Sequence, residues 1–201
     1  MRQTFLALFV TLCGAWTLTA QDITTSDRDR AVGYLEKTRT MVIDATKGLS
    51  DRQLNFKQDT NRWSVAEVTE HIAAAEDFLM SLIKTNVMLA PGRTNAVDLK
   101  TLDELVLMAV PDRTTKFQAP EPLQPVNRFR TQAENLKHFQ TGRDATLAYV
   151  KATRNLRAHA IDSPLGKQLD AYQWILFIAA HSERHTKQIL EVKADPKFPK
   201  E

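Results

Sequence analysis

Two histidines near the end of the chain have the spacing of metal ligands. His181 and His185 lie four residues apart in the segment YQWILFIAAHSERHTKQIL. Positions i and i+4 of an α-helix face the same way, with Cβ atoms about 6 Å apart, so both imidazoles can reach one ion. The zinc-protease helix uses this spacing, but its glutamate directly follows the first histidine. Here Glu183 lies about 200° around the helix from His181, which argues against that motif.

A third imidazole ligand should come from a different helix. His71 lies three residues after Val68 and four before Ala75, within an apolar stripe that is predicted to face the core. Three neutral imidazoles would hold a divalent ion and leave coordination positions open for water or substrate. Zinc and nickel suit such ligands, and the spacing does not choose between them. For each histidine taken alone, a hydrogen-bonded core residue is the competing interpretation. The pair and the phase of His71 together favour a metal site.

Other groups near the expected site have weaker claims. His138 and His159 are predicted to be ordinary surface or turn histidines. A ligating imidazole needs an acceptor for its second N–H, and four residues on the same two helices could supply one: Glu67, Glu70, Glu183 and Gln188. Arg184 also flanks the histidine pair, but a guanidinium can only donate. Three aromatic residues could line a pocket, although their helical spacing is more typical of a core: Tyr172, Trp174 and Phe177. No catalytic acid or base is identified.

Four amphipathic helices are predicted to position these residues. They cover about residues 26–48, 64–86, 131–159 and 168–193. Ser26 or Thr25 is the expected cap of the first helix. The second begins at a capping box, Ser64-Val65-Ala66-Glu67, in which two side chains satisfy free amides of the first turn.

A long connection separates the second and third predicted helices. Residues 90–130 contain five prolines and only one helical stretch, Leu99–Ala109. A connection of this length in a helical domain usually crosses the bundle or covers one end. Because no alternating strand pattern is found, the predicted fold is all-α, a four-helix bundle with a long crossover between helices 2 and 3.

Composition limits the classes of partner. The chain has 201 residues, enough for one domain with a core, and its 27 basic residues are balanced by 24 acidic ones. The net charge of +3 therefore predicts no nucleic-acid partner. Only 6 glycines argue against a glycine-rich phosphate loop.

The first twenty residues, MRQTFLALFVTLCGAWTLTA, have the three-part pattern of a secretory signal. Cleavage after Ala20 would leave a mature domain of residues 21–201, exported to the periplasm or the exterior. A lipid anchor on Cys13 or an uncleaved N-terminal anchor is the less favoured alternative. Cys13 is the only cysteine, so the mature domain would have no disulfide. No later segment is predicted to span a membrane.

Two blocks of the sequence carry a resemblance to a known family. GLSDRQLNFKQDTNRWSVAEVTEHIAAAED and AYQWILFIAAHSERHTKQILEVK resemble the DinB-like (YfiT-type) superfamily of metal-binding four-helix bundles. The resemblance implies ligands at His71, His181 and His185, in agreement with the helical phase. It also implies activities like those of characterised members, which include thiol-dependent transferases and isomerases.

Three functions follow as hypotheses. The first is a metal-dependent enzyme, a hydrolase or thiol transferase, that acts on a small molecule. Export argues against the thiol reaction, because cytosolic thiol cofactors are not dependable outside the cytoplasm. The second is a non-catalytic module of the cell envelope that binds metal or a small ligand. In the third, the histidines are structural and the bundle acts through partners, for instance as a homodimer.

Overall fold

The computed structural model describes residues 22–93 and 97–200. The signal sequence predicted for residues 1–20 lies outside these residues. The helices are α1 (Thr25–Thr46), α2 (Asp51–Leu54), α3 (Val65–Leu82), α4 (Leu99–Ala109), α5 (Gln132–Ala152) and α6 (Ala171–Lys193). A π-helical turn (Ile83–Val87) follows α3, a 3-10 turn (Glu121–Leu123) precedes α5, and β1 (Ala160–Asp162) and β2 (Gln168–Asp170) precede α6. The predicted four-helix bundle is confirmed, with α1, α3, α5 and α6 as its long helices.

Side-chain caps fix the starts of the two helices that carry the histidines. The predicted capping box of α3 is confirmed, since Ser64 Oγ accepts from the Glu67 amide at 3.2 Å and the Glu67 carboxylate accepts from the Ser64 amide at 2.8 Å. Asp170 and Gln173 form the same reciprocal pair at the start of α6, at 2.9 and 3.0 Å. Loss of such a cap typically costs about 1 kcal/mol of stability.

Hydrogen bonds between helices show that α1 and α6 run in the same direction. Near the two helix starts, the Tyr172 hydroxyl donates to the Asp27 carbonyl at 2.9 Å. Near the two ends, Lys193 Nζ donates to the Ala45 carbonyl at 2.8 Å. The helices α1 and α6 are therefore parallel neighbours in the bundle.

The helices α3 and α5 are parallel as well. Asn135 Nδ2 donates to the Ala66 carbonyl near both starts, and the Thr146 hydroxyl donates to Glu76 about three turns further along both helices. The chain that leaves α3 must therefore return along the bundle before α5 can begin. Residues 88–131 make this return, which gives the predicted long crossover its physical reason.

Several predicted helix ends were displaced. Thr24 caps α1, rather than Ser26 or Thr25, because its hydroxyl accepts from the Asp27 amide. The third predicted helix was too long: α5 ends at Ala152, since Thr153 is extended and Asn155 has a left-handed φ of 61°. The short helix α2 was not predicted.

The all-α fold contains one short hairpin that was not predicted from the sequence. Ala160 pairs with Asp170 and Ile161 with Leu169 in an antiparallel hairpin directly before α6. The second strand of the hairpin occupies residues 168–170, which were predicted to be helical, so the fourth helix starts at Ala171. Strands of three residues are too short to show an alternating pattern. Residues 163–166 form the turn of this hairpin, where Gly166 has a φ of 67°.

No helix within residues 22–93 and 97–200 combines the length and apolarity needed to cross a bilayer.

Two of the three aromatic residues considered as pocket linings are core residues: Tyr172 is 0% exposed and Trp174 is 3% exposed. Phe177 is partly buried against the same core.

A polar layer divides the apolar core of the bundle into two clusters. We use this name for Thr38, Glu76, Arg143, Thr146 and Ser182, which are all buried. On one side lie apolar residues that include Leu35, Leu79, Leu147 and Ile178. On the other side lie apolar residues that include Val42, Ile72, Phe139 and Ile189. Each long helix therefore contributes to the layer between its two apolar segments.

An ion pair forms the centre of the polar layer. Arg143 of α5 donates through Nε and Nη2 to the Glu76 carboxylate of α3, at 2.9 and 2.7 Å. Arg143 is 0% and Glu76 2% exposed. At Gly142, an added Cβ would lie 3.3 Å from Glu76 Cγ, so the glycine allows α5 to approach α3 closely here. Removal of one partner from a buried pair leaves the other charge without compensation.

We therefore expect Arg143→Met to lower the free energy of unfolding by about 3–5 kcal/mol, measured by urea denaturation. Arg30→Met is the matched control, because Arg30 pairs with Glu104 at 2.8 Å with both side chains about half exposed. The control should change stability by no more than about 1 kcal/mol. Equal effects of the two substitutions would contradict the central role of the buried pair.

Candidate metal centre

The three histidines selected from the sequence converge at one point between α3 and α6. His71 Nε2 lies 3.1 Å from His185 Nε2 and 3.3 Å from His181 Nε2. One ring nitrogen from each of the three lies within 4.8 Å of the others. His71 and His185 are buried, while His181 is half-buried and lies closest to solvent.

The hydrogen bond of His71 fixes its tautomer. His71 Nδ1 lies 2.8 Å from the carbonyl oxygen of Leu123, in the crossover. Because a carbonyl oxygen only accepts, Nδ1 must carry the proton. In neutral His71, Nε2 therefore presents a lone pair towards the other two histidines.

His185 is held in the same tautomer by a side chain. Its Nδ1 lies 2.8 Å from Gln188 Oε1, and Arg113 Nη1 donates to the same atom at 3.3 Å. A guanidinium only donates, so the shared Gln188 atom is the amide oxygen. His185 Nδ1 is therefore the donor, and its Nε2 also presents a lone pair.

Two lone pairs 3.1 Å apart repel each other unless a cation lies between them or one ring takes up a second proton. Burial opposes the second proton. Nitrogens bound at about 2.0–2.1 Å to a tetrahedral zinc ion are about 3.3–3.4 Å apart. The observed separations of 3.1 and 3.3 Å are close to this value. The donor set and its geometry thus fit a divalent ion.

The electrostatics of the site keep the imidazoles neutral. Burial lowers the pKa of His71, and it lowers the pKa values of His181 and His185 well below their usual range. The neighbouring imidazoles lower the pKa values of His181 and His185 further. Neutral imidazole is the form that binds a metal ion.

The crossover contacts the histidine helices on both sides of the site. On the α6 side, Arg184 Nη2 donates to the Thr115 carbonyl at 2.6 Å. On the α3 side, Leu123 accepts from His71, and Arg128 Nη1 donates to Glu70 at 2.7 Å. The chain between residues 115 and 123 therefore passes from one histidine helix to the other.

Comparison with known proteins places this architecture in a family. The family model of the DinB superfamily matches residues 34–189. The chain belongs to the DinB superfamily. It is 29% identical over 148 residues to the "Uncharacterized protein YuaE" of Bacillus subtilis (strain 168), an alignment that covers 73% of this chain and 87% of the relative.

A solved structure shows that this DinB-superfamily chain shares its fold with YfiT from Bacillus subtilis. YfiT is described as a probable metal-dependent hydrolase with an unusual four-helix bundle topology. The TM-score is 0.56 at 16% identity, and the match covers 85% of this chain and 88% of YfiT. At this identity the likeness establishes the fold alone.

The candidate partners of the histidines divide into one that contacts the site and four that do not. Gln188 accepts from His185 Nδ1, so it supplies the acceptor that a ligating imidazole needs for its second N–H. Glu67 closes the cap of α3, Glu70 binds Arg128, and Arg184 binds carbonyls of the crossover. Glu183 accepts from the Tyr34 hydroxyl at 2.8 Å on the α1 side, away from the three histidines.

The other two histidines lie away from the site. His138 is exposed, with Nε2 2.7 Å from Asp77. His159 lies in the loop after α5 and forms an isolated backbone bridge with Gly92. Their predicted assignment as surface and turn residues agrees with these positions.

Sequence reasoning missed the contribution of the crossover and of the Trp63 ring, whereas Phe177 was already a candidate pocket residue. The Leu123 carbonyl and Arg113 are brought to the site only by the path of the crossover, which no local pattern shows. The Trp63 ring lies 4.9 Å from the His71 ring, and the Phe177 ring lies 6.3 Å from that of His181. Trp63 was detectable, since it comes one residue before the cap of α3.

The lowered histidine pKa values predict a specific pH dependence for the metal-free protein. Below the ordinary pKa of 6.5, the unfolded chain binds protons that the folded histidines do not. The free energy of unfolding should therefore fall as the pH drops below about 6.5, by about 1.4 kcal/mol per pH unit for each histidine that stays neutral. Urea denaturation in the presence of a chelator measures this slope.

His185→Gln should reduce that slope, because it removes one of the three groups. His138→Gln, at an exposed position, is the matched control and should leave the slope almost unchanged. If His138→Gln reduces the slope as much as His185→Gln does, the assignment of the pH dependence to the three site histidines is contradicted.

Proposed function

We propose that this chain is a metal-dependent hydrolase that binds one divalent ion through His71, His181 and His185 and acts on a small molecule. The observation that carries the proposal is the approach of two unprotonated Nε2 atoms, those of His71 and His185, to 3.1 Å, with His181 Nε2 only 3.3 Å from His71 Nε2. The description of YfiT, which shares the fold, as a probable metal-dependent hydrolase supports the reaction class. Zinc and nickel are the proposed metals, because both suit imidazole ligands.

The three ligands are neutral, so they leave the charge of a bound ion uncompensated. When bound, a divalent ion supplies Lewis acidity, which lowers the pKa of water and polarises a substrate carbonyl or phosphoryl group. Gln188 holds His185 through a neutral amide, and Leu123 holds His71 through a backbone carbonyl. Neither contact adds negative charge. The site therefore favours an anionic ligand or nucleophile.

Access to the site is set by His181 and by aromatic neighbours. His181 is half-buried, whereas the other two histidines are buried. Phe177, one helical turn before His181, is partly buried and stacks towards its ring. A substrate that approaches from the His181 side would meet the Phe177 ring, which favours a molecule with an apolar group beside the reacting bond.

A non-catalytic binding module is the second candidate function. One observation favours it: the two carboxylates nearest to the histidines in sequence are already engaged, Glu70 by Arg128 and Glu183 by Tyr34 and Lys187. Neither is free to act as a general base. Thiol transfer is less favoured if the chain is exported. Export is proposed from the pattern of residues 1–20 alone.

The proposal predicts one divalent ion per chain after purification without chelators, measured by elemental analysis. His71→Ala, His181→Ala and His185→Ala should each weaken zinc binding by more than about 100-fold, the upper end of what loss of an outer contact costs. His138→Ala and His159→Ala are the matched controls and should bind zinc as the wild type does. Wild-type protein that takes up no stoichiometric zinc or nickel would refute the metal site.

The hydrolase assignment predicts turnover of simple carboxylic esters, amides or phosphoesters by the metal-loaded protein without an added thiol. Activity should be absent in His185→Ala. In the wild type, activity should be lost on chelation and should return when the metal is restored. Turnover only with an added thiol would point to thiol transfer. Stoichiometric metal with no turnover of any substrate would favour the binding module.

A further inference from the structure

We propose that Arg143 is a positioning residue for the histidine site, which it serves by fixing α3 relative to α6. These two helices carry the three histidines, so their relative placement sets the distances between the Nε2 atoms. The inference rests on the proposed metal binding and adds to it a residue that does not touch the metal.

Arg143 of α5 contacts each of the other three long helices. It binds Glu76 of α3 through two nitrogens. Its Nη1 donates to the Leu35 carbonyl and the Thr38 hydroxyl of α1, at 2.7 and 2.8 Å. Its Nη2 also donates to Ser182 Oγ of α6 at 2.8 Å. Ser182 directly follows His181, so this contact holds α6 beside a proposed ligand.

Such a pair mainly fixes how the helices align along one another and adds little net stability. Desolvation of two buried charges offsets most of their attraction, so an apolar replacement of both is often neutral or stabilising. Apolar helix faces, in contrast, pack in several arrangements of similar energy, and a buried polar contact selects among them. The polar layer lies between two apolar clusters, where it opposes sliding of one helix along another.

A metal site is sensitive to such sliding. Functional groups must be held within about 0.5 Å of their working geometry. His71 lies five residues before Glu76 on α3, and His181 lies next to Ser182 on α6. Arg143 therefore ties the two helices together at positions close to their ligands.

The polar layer can lose its ion pair without leaving a hydroxyl unpaired. Each of its three hydroxyls has a carbonyl acceptor in its own helix: Thr38 to Leu35 at 3.2 Å, Thr146 to Gly142 at 3.1 Å and Ser182 to Ile178 at 3.2 Å. The double substitution Glu76→Leu/Arg143→Met is therefore expected to fold, unlike Arg143→Met alone.

The test compares stability with metal binding. Glu76→Leu/Arg143→Met should keep the wild-type urea midpoint or raise it, yet weaken zinc binding by about 10- to 100-fold, as loss of an outer contact does. The d–d absorption of the cobalt(II)-loaded protein should also shift, because it reports coordination geometry. Arg30→Met/Glu104→Leu, which removes an exposed ion pair, is the matched control and should change neither zinc affinity nor the cobalt spectrum.

A metal-free measurement makes the test independent of the proposed metal binding. Spin labels at Ser81→Cys and Leu190→Cys, in a Cys13→Ser background, report the α3–α6 distance by double electron–electron resonance. Both labelled positions are exposed. The distance distribution should widen or shift in Glu76→Leu/Arg143→Met and stay as in the wild type in the control.

Two results would overturn the inference: an unchanged α3–α6 distribution, or unchanged zinc affinity in a wild type that binds zinc. A wild type that binds no zinc, together with a widened distribution, would refute the proposed function but retain Arg143 as the residue that fixes the helices. If the double variant does not fold, the same distance measurement on Ser182→Ala tests the inference, because this substitution removes only the contact of Arg143 with α6. Ser182→Ala with an unchanged distribution would also overturn the inference.

Discussion

The structure depends on one electrostatic constraint, the burial of three imidazole nitrogens at a single point. His71 and His185 donate through Nδ1 to oxygens that can only accept, so both direct lone pairs at each other across 3.1 Å. In a purely structural core this arrangement is unfavourable, since neither ring can donate to the other. A cation removes the repulsion and turns the same arrangement into a ligand set. The Nδ1 hydrogen bonds to Leu123 and Gln188 thus orient the two lone pairs as a ligand set requires.

The fold supplies those outer contacts through its parallel arrangement of α3 and α5. Because α5 starts beside the start of α3, the crossover has to travel back along the bundle, and it passes the histidines on the way. It leaves Arg113 beside Gln188 and the Leu123 carbonyl beside His71. The polar layer then holds the helices around Arg143. The site therefore depends on long-range connections, although its ligands lie on only two helices.

Features that depend on residues close together in the sequence were predictable, whereas contacts made by distant segments were not. The ligand pair and the phase of His71 follow from helical periodicity, and the start of α3 follows from Ser64 and Glu67. The hairpin before α6 was missed because three-residue strands carry no pattern. The Leu123 carbonyl has no side-chain signal. Arg143 and Glu76 could have been found, since each is a charged residue in the apolar stripe of its helix and their charges are opposite.

The most direct test of the metal centre is a crystal structure of the zinc-loaded protein with anomalous data collected at the zinc edge. The account predicts one strong anomalous peak bonded to Nε2 of His71, His181 and His185, each at about 2.0–2.1 Å. Both Nδ1 contacts, to Leu123 and Gln188, should be retained. A peak bound elsewhere, or no peak between the three histidines at saturating zinc, would contradict it.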